Sequence, residues 1–485
     1  MPRTKLLVRD QVNVKFQDLD PVLRRKLSDA LKFMVPNARH MPQYKLGRWD
    51  GTVSFCSIGG STYLNLIDRL LPILYDHGYE IDVEDHRPFY SFTFPEINED
   101  MFAHKTWPEG HVVAGEPVVL RDYQVEAIRT YTENLQGVQE ISTGAGKTLI
   151  TAVLSHLVEP YGRSIIIVPN KDLVNQTEED YLNLGLDVGV FFGDRKEWGK
   201  KHTICTWQSL SIFAKKTKDG EVIIPIEDFL KDVICVMVDE AHAAKGKELK
   251  ELLCGVFAEV PIRWGLTGTI PPEEHEAICL LASIGPKVGE IRAADLQEKG
   301  VLADCRVEIN QFDDDHVEFN DYETEHKFLL SDSTRLKHIA DLIQFWTEDG
   351  NTLVLVDRIE AGETLQSLIP GSVFIYGDIT SKNRKKEYKS IQVADNKIII
   401  ATYGVASTGI NIPRIFNLVL LEPGKSFVRV IQSIGRGLRK AHDKEFIRII
   451  DLCSSLKFSK RHLSKRKAFY SKAQYPFVMH KIKYL

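Results

Sequence analysis

From Leu120 onward the chain repeats one pattern: a short aliphatic run, then a helical stretch, then another aliphatic run. Ile165–Val168, Val233–Val238, Leu353–Val356, Ile398–Ala401, Leu418–Leu421 and Ile447–Ile450 are nearly free of polar residues. A strand half-exposed to water alternates apolar and polar side chains, whereas a strand covered on both faces does not have to. Helices between such strands place the connections over the sheet faces, so the pattern predicts parallel α/β sheets. A break around Ile284-Gly285-Pro286, followed by the segment Gln297–Asn310, predicts two such sheets in series.

Residues 1 to about 95 differ and read as a small α+β unit. Val12–Phe16 alternates like a strand, Asp20-Pro21 opens a helix running to Phe33, and strand-like runs surround Tyr44 and Val53. A helix from Leu66 to His77 and a strand at Ile81–Val83 complete it, before the Pro-rich joints Phe94-Pro95-Glu96 and Trp107-Pro108-Glu109-Gly110. The expected organisation is residues 1–100 as a small α+β nucleic-acid-binding domain, 101–295 as a first α/β lobe and 296–485 as a second lobe with a basic tail.

Three clusters carry chemistry. Ser142-Thr143-Gly144-Ala145-Gly146-Lys147-Thr148 precedes the helical run Leu149–Val158. Its glycines let the backbone curl so that successive N–H groups face phosphate oxygens, Lys147 neutralises the β and γ oxygens, and the Thr148 hydroxyl ligates Mg²⁺. Ile141 stands where the longer form of this loop has glycine. Gly424-Lys425-Ser426 lacks a glycine-rich approach and reads as an ordinary turn. Next, Asp239-Glu240-Ala241-His242 ends the run Val233–Val238. Acidic side chains at the carboxyl end of a parallel strand face the ligand crevice of such sheets, where Asp239 holds Mg²⁺ and Glu240 polarises the attacking water. Third, Gln432, Arg436 and Arg439 lie in QSIGRGLR; two guanidiniums three residues apart share a helix face and can reach a γ-phosphate.

The order of these clusters resembles that of superfamily 2 helicases, over residues 118–455. Leu120-Arg121-Asp122-Tyr123-Gln124 is similar to the Q motif, implying adenine contacts by Arg121 and Gln124. Val168-Pro169-Asn170 resembles motif Ia and Thr206-Trp207-Gln208-Ser209-Leu210 motif Ib. Leu266-Thr267-Gly268-Thr269 resembles motif III, with Gly at its centre, and Ala401-Thr402-Tyr403 through Gly409 resembles motif V. The resemblance implies two tandem RecA-like parallel-sheet lobes, ATP and Mg²⁺ as cofactors, and Ser142–Thr148 with Gly409 at the nucleotide. It also implies catalysis by Asp239, Glu240, Gln432, Arg436 and Arg439, coupling through His242, Thr267 and Thr269, and DNA contacts by Pro169, Asn170, Thr206, Trp207, Gln208, Thr402 and Tyr403. Pro42-Gln43-Tyr44-Lys45-Leu46-Gly47-Arg48-Trp49-Asp50-Gly51 and Arg69-Leu70-Leu71-Pro72 narrow the resemblance to phage branch-migration helicases of the UvsW type. The resemblance implies a leading domain that binds nucleic acid; Lys45 and Arg48, basic residues on the turn, are the expected phosphate contacts, and the aromatic Trp49 is the expected core anchor. The partners it implies are ATP, single-stranded and branched DNA, and a single-strand-binding protein or the replication and recombination machinery.

Composition sets limits on these readings. Lys plus Arg number 62 against 67 Asp plus Glu, a net charge of −5, which gives no overall basic field for DNA. From Lys457 onward, however, Lys460, Arg461, Lys465, Arg466 and Lys467 meet no acidic residue and are interleaved with Phe469, Tyr470, Tyr475 and Phe477, a pattern that predicts phosphate contact. Seven scattered cysteines without a C-x-x-C pair exclude a zinc ribbon and a disulfide framework. The absence of a leader or a long apolar run predicts a cytoplasmic protein, within a bacterial host if phage-encoded. Two rival readings are an RNA helicase of the DEAH type and the motor subunit of a nuclease; a third is a non-hydrolysing ATP switch, against which Glu240, Arg436 and Arg439 argue.

Overall fold

The computed structural model describes residues 2–109, 113–222, 224–302, 304–377, 394–405, 414–424, 446–472 and 474–484. They form two compact units: 1–141 with 146–290, and 142–145 with 291–485.

The first unit is built on an eight-stranded sheet. Its strand order is Arg195–Lys196, Val188–Phe192, His202–Thr206, Arg163–Val168, Val233–Asp239, Ile262–Thr267, Gln136–Ile141 and Lys287–Ile291. The five inner pairings from Val188–Phe192 to Gln136–Ile141 are parallel; Arg195–Lys196 folds back antiparallel. Val233–Val238 is buried at every position, as a run without polar residues requires. Two of these strands are masked in the sequence by polar residues that find partners only in the fold. In Gln136–Ile141 the buried Gln139 amide donates to the Ala127 carbonyl at 2.7 Å. In Ile262–Thr267 the buried Arg263 guanidinium donates to the carbonyls of Leu253, Phe257 and Ser283 at 2.6 Å each. A buried charge is tolerated only when its donors are used, and these are.

The leading residues form a four-stranded sheet in the order Ser61–Tyr63, Asn13–Gln17, Arg3–Val8, Glu80–Asp85. Asp20 caps the helix Pro21–Ala30, accepting from Val22 N and Leu23 N, and Pro21 at the first position presets its backbone. This helix stops at Ala30 rather than reaching Phe33, because Lys32–Met34 pairs antiparallel with Thr52–Ser54. Tyr44 lies in a helical turn, Pro42–Lys45, and not in a strand; Pro42 opens that turn.

The leading sheet is welded to the first lobe. Leu6, Phe16, Leu23, Leu66 and Leu70 share one core with Ile278, Cys279 and Ala282 of the helix Glu274–Ser283. Gln11 N donates to Ala258 O at 2.9 Å, Asn13 Nδ2 to Cys254 O at 2.8 Å, and Gln136 Nε2 to Gln11 O at 3.0 Å.

The second unit carries a seven-stranded, wholly parallel sheet: Val373–Ile375, Ile398–Thr402, Thr352–Val356, Asn417–Leu421, Phe446–Ser454, Asp304–Phe312 and Phe477–Ile482. Lys457–Lys472 is a helix, and it divides the basic tail in two. Lys457, Lys460, Arg461 and Lys465 are exposed. Arg466, Tyr470 and Tyr475 are buried. Arg466 holds Asp451 through both carboxylate oxygens at 2.8 and 2.9 Å, and the Tyr470 hydroxyl donates to the same carboxylate at 2.8 Å. The phosphate role expected of Arg466 and of these two aromatics is therefore corrected: they close the core, and only the outer face of the helix is basic. None of the described helices is long and apolar enough to cross a membrane.

Candidate active site

Lys147 is the first residue of the helix Lys147–Val158. Gly146 before it is left-handed (φ 85°), and Gly144 has φ 91°, a conformation that costs glycine nothing. A Cβ on Gly146 would stand 2.5 Å from Gln124 Nε2, so the Gln124 amide abuts the loop from which the helix starts. Gln124 is itself fixed at the third position of the helix Asp122–Glu133, accepting from Arg121 N at 3.0 Å.

Asp239 ends its strand and Glu240 turns sharply away at φ 54°, a left-handed backbone that a non-glycine residue adopts at a cost of about 1–3 kcal/mol. Strain of this kind persists where surrounding structure imposes it, and here it aims Glu240 back at Lys147: Oε1 lies 3.5 Å from Lys147 Nζ, which also reaches the Ile141 carbonyl at 3.4 Å. Glu240 Oε2 lies 3.3 Å from His242 Nδ1, and that nitrogen is 3.0 Å from Thr267 Oγ1. Thr267 Oγ1 in turn donates to Thr269 O at 3.0 Å. A continuous polar path thus runs from Lys147 through Glu240 and His242 to Thr267 and Thr269.

One lysine faces two adjacent carboxylates. Burial first, then the Glu240 charge, pushes the Asp239 carboxyl up to about 6, against the pull of Lys147. This surplus of negative charge, with the Thr148 hydroxyl one residue after Lys147, is a donor set that fits a hard divalent cation held jointly with a phosphate. Because the folded-state value lies above the usual 3.8, the folded protein binds a proton that the unfolded chain releases. Without nucleotide, stability should therefore fall as pH rises from about 4 through about 6. Asp239→Asn should flatten that slope, read as melting temperature against pH; an unchanged slope would remove Asp239 as its source.

The motif Ia and Ib residues meet at the carboxyl ends of the neighbouring strands Arg163–Val168 and His202–Thr206. Asn170 caps the helix Lys171–Asn183, accepting from Leu173 N at 3.0 Å. Exposed Gln208 donates to Pro169 O at 3.4 Å. Thr206 is buried, and its hydroxyl lies 2.9 Å from Ser209 Oγ and caps the helix Trp207–Lys218; it positions that helix and is not presented as a contact. Trp207 packs against the lobe core. In the second unit Tyr403 is 3% exposed, its hydroxyl is buried, and it cannot touch a strand through its side chain, which corrects that expectation; Thr402 is half-buried. Lys45 and Arg48 are exposed, and Trp49 is half-buried with Nε1 donating to Thr52 O at 2.7 Å, an anchor for the turn. Gly409, Gln432, Arg436 and Arg439 lie outside the described residues. Sequence reasoning missed Tyr131, whose buried hydroxyl donates to Gly265 O at 2.5 Å and so supports the strand that carries Thr267.

Residues 117–272 match the family model of the type III restriction enzyme res subunit, and residues 334–441 that of the helicase conserved C-terminal domain. With the P-loop, the Asp-Glu pair and the two parallel sheets, these matches place the chain in superfamily 2 helicases: it is an ATP-hydrolysing enzyme. The chain is similar to the ATP-dependent DNA helicase uvsW of Enterobacteria phage T4, 24% identical over 457 residues that cover 89% of this chain and 86% of that one. It is similar also to a DNA 3'-5' helicase XPB of Kineococcus radiotolerans, 24% identical over 385 residues, 76% of this chain and 66% of that one. Among solved structures, S. cerevisiae Dbp5 bound to RNA and ADP BeF3 shares the fold, with a TM-score of 0.54 and 14% identity, over 76% of this chain and 90% of that one.

Proposed function

We propose that this enzyme is a DNA motor that unwinds or branch-migrates forked and four-way DNA. The observation that carries the reading is the reach of the similarity to the phage DNA helicase. An alignment over 89% of the chain extends well beyond the motor segment 118–455, which is less than three quarters of 485 residues. The shared fold alone does not choose a substrate, since Dbp5 holds RNA on it.

When bound, Mg²⁺ neutralises phosphate charge and orients the β and γ oxygens. Thr148 and Asp239 would hold it, Lys147 would hold the phosphates, and Gln124 would fix the adenine end beside Gly146. Glu240 would accept a proton from the attacking water, and His242 would pass the change at Glu240 to Thr267. Arg436 and Arg439 would stabilise charge on the γ-phosphate from the second lobe. Asn170, Gln208 and the helix N-termini beside them would hold strand phosphates, and Lys45 and Arg48 would hold a junction arm.

Removing the leading residues would test the junction role poorly, because it would strip the shared core from Ile278 and Cys279. Point changes are cleaner. Lys45→Glu with Arg48→Glu, both at exposed positions, should leave folding and single-strand-stimulated ATPase near wild type while fork and four-way-junction unwinding falls several-fold. Each lost phosphate contact should also flatten the log–log salt dependence of junction binding by about 0.7–0.9. Equal unwinding by the double variant would take these residues off the DNA.

A further inference from the structure

A cleft of about 530 Å³ opens between the leading residues 33–40 and residues 273–275, which follow the motif III strand. Both walls belong to the first unit and share its core, so the cleft has a defined shape. Phe33, Met34 and Pro36 give it an apolar side; Met34 is 50% exposed there. Exposed Arg39 and His40 stand on the same wall, in the turn Ala38–His40, and exposed Glu273 and Glu274 on the other. Among the described residues, none of these four charged or titratable side chains makes an ion pair within 4.0 Å. The turn is held firmly: Val35 N donates to Gly51 O at 2.8 Å and Ala38 N to Val35 O at 3.1 Å. The opposite wall is anchored by the His275 ring, whose centroid is 5.8 Å from that of Phe55, edge to face.

An apolar face, a pair of acceptor-only carboxylates and a cationic group in one cleft match the ring face and amino edge of a base and the charge of its phosphate. We propose that the cleft seats one unstacked nucleotide of a single strand. The base lies against Phe33, Met34 and Pro36, an exocyclic amine donates to Glu273 or Glu274, and the flanking phosphate faces Arg39 and His40. The cleft is large enough for such a unit and too small for a duplex. Carboxylates accept from the amino groups of adenine, cytosine and guanine, whereas thymine has no amino group and offers only its ring N3–H, flanked by the O2 and O4 acceptors that repel a carboxylate, so thymine would be disfavoured. The acidic wall is four residues beyond Thr269, so the seat is tied along the backbone to the path that begins at Lys147 and Glu240. The inference rests on the reading of the chain as a DNA motor and adds a site to it.

The test uses the full chain and forks whose single-stranded arm is all thymidine except for one adenosine, moved through the arm one position at a time. At one position the adenosine fork should bind about tenfold more tightly than the all-thymidine fork, the low end of what one base-edge contact discriminates. 2-Aminopurine placed at that position should brighten on binding as it leaves its neighbours. Glu273→Ala with Glu274→Ala should erase the preference while leaving the affinity for the all-thymidine fork near wild type. Arg39→Ala with His40→Ala should weaken both forks alike. Because Glu273 and Glu274 also begin the helix Glu274–Ser283, melting curves should accompany the variants. The proposal is overturned if no position shows a preference, or if the preference survives the Glu273/Glu274 double variant. Failure of the wild-type chain to bind any fork would instead overturn the DNA-motor reading beneath it.

Discussion

Replacing Lys147 with alanine is expected to lower ATP turnover by about 10²–10³-fold, the scale of losing one charged group aimed at developing charge in a shielded site. The side chain is 12% exposed, beside Glu240 at 3.5 Å and the Ile141 carbonyl at 3.4 Å. Neither contact is short, so an incoming phosphate replaces weak partners with a strong, charge-assisted one. Without the ammonium, two neighbouring carboxylates would face the phosphates alone, and nucleotide affinity should fall together with the rate. Because Lys147 is enclosed, DNA binding without nucleotide should persist. Steady-state ATPase and a fluorescent ATP analogue read both effects. Retention of more than about a tenth of the rate would mean that this loop is not where ATP is hydrolysed.

Glu240→Gln should separate binding from chemistry. Glutamine has the same length and reaches the same left-handed backbone at the same cost, but its neutral amide is a poor proton acceptor. Hydrolysis should fall by about 10²-fold, the scale of losing a general base, while ATP binding is kept or tightened. Tightening is expected because Glu240 competes with phosphate for Lys147 and adds to the negative charge beside Asp239. ATP-bound protein should then accumulate on DNA, visible as slow dissociation in the presence of ATP. Normal turnover by the variant would transfer the proton-accepting role to another residue.

The sequence announces those parts of the fold whose residues obey one rule at a time. The six aliphatic runs are all strands: all are short and most are rich in β-branched residues, which suit a strand covered on both faces, whereas the apolar run Ala277–Ala282 lies in a helix. Gln136–Ile141 and Ile262–Thr267 are hidden, since Gln139 and Arg263 look like surface residues until Ala127, Leu253, Phe257 and Ser283 supply acceptors. The basic tail misleads for the same reason: Arg466 is paired with Asp451, 15 residues earlier, and spacing alone cannot show it. The nucleotide site is more legible, because glycines around a lysine and acids after a buried run are local signals. The contacts from Glu240 to His242 and on to Thr267 are not, as they depend on two neighbouring strand ends and on one left-handed residue.

The most direct test of the central claim is ATPase stimulation by matched DNA and RNA in single-stranded, duplex, forked and four-way forms. An ATP-driven DNA motor directed to branches should hydrolyse ATP fastest on forked and four-way DNA, more slowly on plain single strands, and little on matched RNA. Equal or greater stimulation by the RNA set, or no stimulation by any DNA, would contradict it.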